Sequence, residues 1–219
     1  MSAAPGVLIA VVGPSGAGKD SILRAAQARL SGSQDFVFPR RVVTRQAQVE
    51  SEDHDSLSEQ AFEKAAAAGQ FAIWWRAHGN AYGIPAAAVA QVAEGKSVVF
   101  NWSRAVLAEL LARFSTLAAI EISATPAILA RRILARGREA PDAVAARVSR
   151  RPDAYPAGLQ LVRIDNSGEL EGAVSAFCAA LRQLHNTAAN PGGGPLDQQD
   201  KREDGNDRRG GLVIVEQLQ

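Results

Sequence analysis

Apolar residues fall into short continuous runs that alternate with longer stretches of helical spacing. Residues 7–12 read Val-Leu-Ile-Ala-Val-Val, and such a run predicts a strand buried on both faces of a parallel sheet. Similar runs at residues 97–100, 117–122 and 159–164 predict three more buried strands. Because amphipathic stretches separate these runs, the pattern predicts an α/β fold with a mostly parallel central sheet.

The segment after the first predicted helix has a different pattern. Residues 36–43 predict a strand with Pro39 at a bulge or an edge, because proline cannot donate a ladder hydrogen bond. The polar and acidic residues 44–58 predict a loop. Residues 71–76 and 81–84 flank a Gly-Asn turn, which is typical of a β-hairpin.

The composition changes near residue 185. Residues 170–184 have the spacing of a closing amphipathic helix. Residues 186–210 are rich in glycine, proline and charge, and they cannot bury enough apolar area to offset their ordering entropy. We therefore predict one domain over residues 1–185 and a disordered polar tail over residues 186–219. The apolar residues 212–215 could pair with a sheet edge, but we expect a frayed end.

The composition also excludes several classes of function. With 24 Lys+Arg against 23 Asp+Glu, the formal net charge is only +1. A charge this small does not attract the chain to nucleic acid or to a membrane surface. No stretch approaches the roughly 20 apolar residues of a membrane span, and the first apolar run is too short for a signal peptide. The one cysteine, Cys178, has helical spacing with Val174 and Leu181 and predicts a buried thiol rather than a nucleophile. We expect a cytoplasmic protein with no nucleic-acid or membrane partner.

A glycine-rich motif connects the first predicted strand to the first predicted helix. Residues 13–19 read Gly-Pro-Ser-Gly-Ala-Gly-Lys and fit the G-x-x-x-x-G-K pattern of a phosphate-binding P-loop. The glycines allow consecutive N–H groups to turn toward phosphate oxygens, and Lys19 reaches the terminal phosphates. A plain strand-to-helix turn is the alternative. We expect ATP to contact Gly13, Pro14, Ser15, Gly16, Ala17, Gly18, Lys19, Asp20 and Ser21.

Position 20 departs from this pattern, because Asp20 follows the lysine where the motif expects Ser or Thr. Carboxylate oxygens are good ligands of Mg²⁺, so Asp20 is a candidate for binding Mg²⁺ directly or through a water molecule. The alternative is that Asp20 only favours the N-terminus of the helix. Mg²⁺ is therefore the expected cofactor.

Arginines cluster between the third and fourth buried runs. Phosphoryl transfer needs cations around the moving group. Arg132 and Arg136 are four residues apart on one helical face, and Arg147 would enter from the far side of the next loop. With Lys19, these residues are the candidate catalytic groups, and the arginines predict a mobile lid. A solvated basic face is the alternative.

Polar residues also follow the strand predicted over residues 36–43. Arg41 and Arg45 are near its end, which is where ligands bind in open α/β sheets. Tyr82 lies in the predicted hairpin. These groups suit an acceptor that carries phosphate and hydroxyl groups.

Five motifs make the chain resemble the guanylate-kinase superfamily over residues 7–184. They are residues 13–19, Val-Val-Thr-Arg at 42–45, Gly-Asn-Ala-Tyr-Gly-Ile-Pro at 79–85, Arg-Arg-Ile-Leu-Ala-Arg-Gly at 131–137 and Asp-Asn at 165–166. Within the superfamily the chain resembles the ribose 1,5-bisphosphate phosphokinases. The pointers are Gly-Lys-Asp-Ser at 18–21, Arg-Arg-Val-Val-Thr-Arg at 40–45, Glu-Asp-His at 52–54, Ala-His-Gly at 77–79 and Tyr-Gly-Ile-Pro at 82–85. The resemblance implies a three-layer P-loop fold with an acceptor-binding region and an arginine-bearing lid.

Departures from guanylate kinases agree with this narrower resemblance. Those enzymes follow their Thr-Thr-Arg motif with a second arginine, whereas Gln46 follows Arg45 here. They place a glutamate that reads guanine before a tryptophan, and no glutamate precedes Trp74. Asn101 stands where they have an aspartate near the base. The resemblance thus implies Asn101, with Arg41, Arg45 and Tyr82, as an acceptor-binding residue.

The implied function is ATP-dependent phosphorylation of ribose 1,5-bisphosphate to 5-phosphoribosyl 1-diphosphate, a step of bacterial phosphonate breakdown. A guanylate or other nucleoside-monophosphate kinase is the alternative enzyme. A guanylate-kinase-like binding module that has lost catalysis is an alternative of another class. Such modules usually have a degraded P-loop, whereas this chain retains Lys19 and the glycines.

Overall fold

A six-stranded sheet forms the centre of the molecule in this computed structural model. The structure describes residues 5–44, 54–77, 79–135, 144, 148, 154–189 and 213–217. In spatial order the strands are β2 (Phe36–Val37), β7 (Ser97–Asn101), β1 (Leu8–Val12), β8 (Leu117–Ser123), β9 (Gln160–Asp165) and β10 (Val213–Gln217). Strands β2 to β9 of this sheet are parallel, and β10 pairs with β9 in the antiparallel sense. The prediction of a mostly parallel central sheet is confirmed.

Helices cover both faces of this sheet and give the fold three layers. They are α1 (Lys19–Arg29), α2 (Glu59–Ala67), α3 (Ala86–Ala90), α4 (Leu107–Arg113), α5 (Pro126–Leu134) and α6 (Leu170–Ala189). Alternate residues of β1 enter two separate hydrophobic cores, since successive side chains of a strand point to opposite faces. Ile9 packs in the core with Ile22 of α1 and Phe177 of α6, whereas Leu8 packs in the core with Leu107 of α4. Every residue of β1 is buried, as its continuous apolar run predicts.

A second sheet of four strands lies beside the first. Its strands, in spatial order, are β4 (His54–Ser56), β3 (Arg41–Val43), β6 (Asn80–Pro85) and β5 (Phe71–Ala77). Strands β5 and β6 form the predicted antiparallel hairpin, and Gly79 adopts φ +74° in its turn. The predicted loop over residues 44–58 is wrong at its end, because residues 54–56 pair with β3. Residues 45–53 lie outside the described residues.

The single strand predicted over residues 36–43 is also wrong. The chain forms β2 in the central sheet, leaves it at Phe38, and forms β3 in the second sheet. Pro39 lies between the two strands. Because proline fixes φ and has no N–H, it interrupts a ladder and favours this crossing between sheets.

The end of the chain differs from the prediction in two places. Helix α6 continues to Ala189, four residues beyond the predicted boundary at 185, and the Ser97 hydroxyl bonds to the ring of His185 at 2.8 Å. The expected frayed end is wrong, because residues 213–217 pair with β9. An edge strand offers unpaired N–H and C=O groups that an apolar segment can bind. Residues 190–212 lie outside the described residues, so the predicted tail stays a prediction.

Candidate active site

The P-loop connects the carboxyl end of β1 to the first turn of α1. Gly13 has φ +143°, and a Cβ added there would lie 2.0 Å from the carbonyl oxygen of Ile122. Gly18 precedes α1 with φ +90°, a backbone conformation that residues other than glycine rarely adopt. The motif therefore has glycine at two positions where the backbone conformation requires it.

Lys19 folds back over its own loop. Its Nζ donates hydrogen bonds to the carbonyl oxygens of Gly13 at 2.8 Å and Pro14 at 3.0 Å. This geometry holds a positive charge at the loop, next to the N–H groups that open the helix. Such an arrangement is an anion-binding site for the phosphates of a nucleotide.

Asp20 and Asn101, predicted for different tasks, are direct partners. The side-chain Nδ2 of Asn101 donates a hydrogen bond to Oδ1 of Asp20 at 2.6 Å. Asp20 belongs to the first turn of α1, and Asn101 is the last residue of β7. The bond connects the P-loop helix to the strand beside β1.

A cavity of about 110 Å³ opens beside this pair. It lies between α1, the end of β7 and the crossing from β2 to β3. Its lining residues are Asp20, Leu23, Arg24, Gln27, Phe38, Pro39, Arg40, Arg41, Val99, Phe100 and Asn101. Sequence reasoning missed Arg24, although its position four residues after Asp20 puts the two on one face of α1. Arg24 and Arg41 make the cavity suitable for an anionic ligand.

Arg132 projects from α5 toward the P-loop. Its Nη1 is buried without a hydrogen-bond partner and lies 3.8 Å from where a Cβ on Gly18 would stand. The adjacent Arg131 is exposed. Arg136 and Arg147 lie outside the described residues, and so does Arg45. The lid and the catalytic role of Arg132 therefore stay predictions, and the structure places Arg132 next to the P-loop.

Asn166 supports the P-loop from the end of β9, a role that was not predicted. It is buried, and its Nδ2 donates to the carbonyl oxygen of Ala17 at 2.8 Å. A Cβ on Gly18 would lie 2.4 Å from the same Nδ2 atom. Asn166 and Gly18 therefore pack too closely for any larger residue at position 18. The only signal in the sequence was a polar pair directly after a buried strand.

Tyr82 lies away from the cavity lining and takes part in a row of aromatic rings. Its ring stacks on Trp75 with 5.3 Å between centroids, and Trp75 stacks on Trp102 at 5.7 Å. Trp102 directly follows β7 and packs in the core beneath the central sheet. The row therefore connects the second sheet to the strand that carries Asn101.

A part-buried ionic cluster lies near the carboxyl end of β8, and sequence reasoning missed it. Glu121 accepts hydrogen bonds from Nη2 of Arg104 at 2.7 Å and from Nε of Arg163 at 3.2 Å. The ring of Tyr155 lies 5.0 Å from the guanidinium carbon of Arg104. Burial, and after it the negative charge of Glu121, raise the pKa of Tyr155 well above its ordinary value. Because Glu121 pairs with Val12, this cluster lies beside the start of the P-loop.

Asp20 suits a cation that also binds phosphate. No group of three or more His, Cys, Asp or Glu side chains with metal-binding geometry occurs among the described residues. Mg²⁺ needs no such group in kinases, because one or two carboxylates and the substrate phosphates bind it. The residues present therefore fit Mg²⁺ held between Asp20 and a nucleotide.

Within the described ranges, no helix is long and apolar enough to cross a membrane.

Curated proteins of similar sequence agree in their names. The chain is 43% identical over 183 residues to a ribose 1,5-bisphosphate phosphokinase of Brucella melitensis, a match that covers 84% of this chain and 94% of that protein. The chain belongs to the ribose 1,5-bisphosphate phosphokinase family. A member from Methylobacterium radiotolerans is 46% identical over 178 residues, which is 81% of this chain and 98% of the relative. No family model matches the chain.

Solved structures show the fold of this phosphokinase family member. The guanylate kinase of Anaplasma phagocytophilum superposes with a TM-score of 0.62 over 84% of this chain and 88% of that protein, at 18% identity. The three-layer P-loop fold expected from the sequence is confirmed.

The bifunctional ribose 1,5-bisphosphokinase-thymidine phosphorylase of Cupriavidus necator is 41% identical over 186 residues, and the match covers 85% of this chain but 31% of that longer protein.

Proposed function

We propose that this chain transfers the γ-phosphoryl group of ATP to the 1-phosphate of ribose 1,5-bisphosphate. One observation carries the proposal. Asp20 belongs to the P-loop region and also lines the cavity that contains Arg24, Arg41 and Asn101. A nucleotide site and a cationic acceptor cavity therefore have a common wall, as direct transfer between two phosphate groups requires.

The reaction forms one bond and breaks one bond. An oxygen of the acceptor 1-phosphate attacks the γ-phosphorus of ATP, and the bond to the bridging oxygen of the β-phosphate breaks. The products are ADP and 5-phosphoribosyl 1-diphosphate. A phosphate monoester is already anionic near neutral pH, so no general base is needed. The protein contributes positioning and stabilisation of charge on the transferred group.

The side chains near the P-loop suit these two tasks. On binding ATP, Lys19 exchanges its bonds to Gly13 and Pro14 for bonds to phosphate oxygens. Arg132, whose Nη1 has no partner in the structure, stabilises charge on the transferred group. Mg²⁺, when bound, neutralises phosphate charge, and Asp20 would hold it. Arg136 and Arg147 are assigned to the same lid on sequence grounds alone.

The acceptor is held by the cavity and its surroundings. Arg41 and Arg24 attract the phosphate groups of the sugar, and Asn101 offers polar atoms to the acceptor. Arg45 and Tyr82 are assigned to the acceptor site on sequence grounds alone, and Tyr82 does not line the cavity itself. Both the donor and the acceptor are cellular metabolites, which agrees with a cytoplasmic location.

Guanylate kinase activity is the second candidate, because the fold is that of a guanylate kinase. The bond between Asn101 and Asp20 argues against it. Residue 101 is a neutral amide that is engaged with Asp20, so β7 itself does not end in the carboxylate that the resemblance gives guanylate kinases at this position.

Product identification tests the proposal. Purified protein is incubated with ATP and Mg²⁺ and either ribose 1,5-bisphosphate or ribose 5-phosphate, and products are followed by ³¹P NMR. We expect ribose 1,5-bisphosphate to yield the coupled resonances of a diphosphate with one ADP per product. Ribose 5-phosphate lacks the 1-phosphate and should yield none. Diphosphate formation from ribose 5-phosphate, or no reaction with ribose 1,5-bisphosphate, would overturn the proposal.

A further inference from the structure

The hydrogen bond between Asn101 and Asp20 is held by two rigid elements. Asn101 ends β7 in register with Val11 of β1, and the N–H of Trp102 donates to the Val11 carbonyl at 2.8 Å. Asp20 lies in the first helical turn, where the N–H of Ile22 bonds to the Gly18 carbonyl at 3.0 Å. The sheet and the helix therefore fix the two backbone positions from which Nδ2 and Oδ1 approach each other to 2.6 Å.

Charge explains why an amide stands opposite the carboxylate. Two carboxylates at hydrogen-bonding distance repel each other, and one of them would take up a proton. An amide instead donates to one carboxylate oxygen and leaves the second for a cation. Asn101 thus orients Asp20 without adding a second negative charge.

Asp20 and Asn101 also reverse the usual placement of the acidic and the neutral polar residue. In many P-loop enzymes, Mg²⁺ is bound by the Ser or Thr after the lysine together with an aspartate elsewhere in the fold. Here the carboxylate follows the lysine, and the neutral polar side chain ends the neighbouring strand. Both arrangements combine one carboxylate with one neutral polar group, so their total charge is minus one in each case.

We propose that Asn101 is a positioning residue that orients the Asp20 carboxylate for metal binding, and that the carboxylate can be moved from position 20 to position 101 with retention of metal binding. This inference deepens the proposed function and rests on its use of Mg²⁺ at Asp20. It gives Asn101 a task that is independent of the acceptor.

Metal binding without any acceptor tests the inference. Mn²⁺ is titrated into each protein with a non-hydrolysable ATP analogue, and free Mn²⁺ is measured by electron paramagnetic resonance. We expect Asn101→Ala to weaken Mn²⁺ binding about tenfold, as loss of an outer-shell partner of a metal ligand does. Gln183→Ala removes an exposed amide of α6 that does not line the cavity, and it should leave Mn²⁺ affinity unchanged.

The exchange is tested by two further variants. Asp20→Ser should weaken Mn²⁺ binding, and Asp20→Ser combined with Asn101→Asp should bind Mn²⁺ at least about tenfold more tightly than Asp20→Ser alone. Affinity for the analogue in EDTA should be equal in the wild type, Asn101→Ala and the double variant, which have the same charge, and at least as high in Asp20→Ser, which separates metal binding from damage to the P-loop. Thermal unfolding of each variant confirms that it is folded.

Two results would overturn the inference. One is Mn²⁺ affinity in folded Asn101→Ala equal to that of the wild type. The other is a double variant that binds Mn²⁺ no better than Asp20→Ser. Because no acceptor is present, both outcomes are independent of whether ribose 1,5-bisphosphate is the substrate.

Discussion

In the proposed function, Lys19 provides the charge at the nucleotide site, and in the structure its Nζ bonds to two carbonyl oxygens of the loop. We expect Lys19→Ala to lower kcat/KM for phosphoryl transfer by about 100-fold or more, since a donor to the transferred group is lost. The free energy of unfolding should change by less than about 1 kcal/mol, because the backbone conformation of the loop, with its glycines, does not depend on the Lys19 side chain. Lys64→Ala, at an exposed position of α2, is the matched control. Near-normal turnover in Lys19→Ala would contradict the P-loop assignment.

Arg132 should act on the transition state more than on bound ATP. Its unpartnered Nη1 lies beside Gly18, so charge that develops during transfer is within reach. We expect Arg132→Ala to lower kcat by about 10-fold or more with a smaller effect on ATP affinity. Arg131→Ala, on the exposed side of the same helix, should have normal kinetics. A raised KM for ATP with unchanged kcat in Arg132→Ala would show ground-state binding instead.

At the scale of elements, the second sheet depends on a close approach between β5 and β6. A Cβ on Gly83 would lie 2.7 Å from a ring carbon of Phe71, which itself stacks on Phe62 at 4.6 Å. We expect Gly83→Ala to destabilise the protein by about 1–3 kcal/mol, because the ring must leave its stacked position. Gly32→Ala, where nothing lies within 4 Å, should change stability by less than about 0.5 kcal/mol. Equal denaturant midpoints for the two variants would contradict this packing.

The ionic cluster at the end of β8 gives a second prediction for an element. The side chains of Glu121 and Arg104 are 14% and 15% exposed, so removing Glu121 leaves the part-buried guanidinium of Arg104 without its carboxylate partner. We expect Glu121→Ala to cost about 1–3 kcal/mol in urea unfolding. Glu109→Ala breaks an exposed helical pair with Arg113 and should cost less than about 0.5 kcal/mol. A Glu121→Ala effect as small as that of the control would show that the cluster is well solvated.

The pattern of neighbouring residues in the sequence was sufficient to predict some secondary-structure elements and not others. The continuous run of β1 and the hairpin around Gly79 follow from residues that are neighbours in the chain. Strand β4 does not, because its polar residues become a strand only by pairing with β3. The division of the strand predicted over residues 36–43 likewise depends on which sheet each half meets.

The same distinction holds for the candidate site. The P-loop and Cys178, which is buried as expected, were predictable from local sequence. The bond between Asp20 and Asn101 joins residues that are 81 positions apart. It depends on the register of β7 with β1, which no local pattern specifies. The support of the P-loop by Asn166, 149 positions from Ala17, was hidden for the same reason.

At the scale of the whole molecule, the two sheets meet around the cavity that we propose for the acceptor. Arg41, the first residue of β3, comes from the second sheet, and Asn101 comes from the central sheet. The stacked rings of Tyr82, Trp75 and Trp102 connect the same two sheets. In the proposed function, acceptor choice therefore depends on residues from both sheets around one cavity.

A competition between two acceptors tests this account most directly. Ribose 1,5-bisphosphate and GMP are mixed at equal concentration with ATP, Mg²⁺ and the wild-type protein, and the initial rates of both products are measured by chromatography. The ratio of rates equals the ratio of kcat/KM values. We predict a preference for ribose 1,5-bisphosphate of at least about 100-fold, because polar groups that recognise guanine are missing. A preference for GMP would contradict the account.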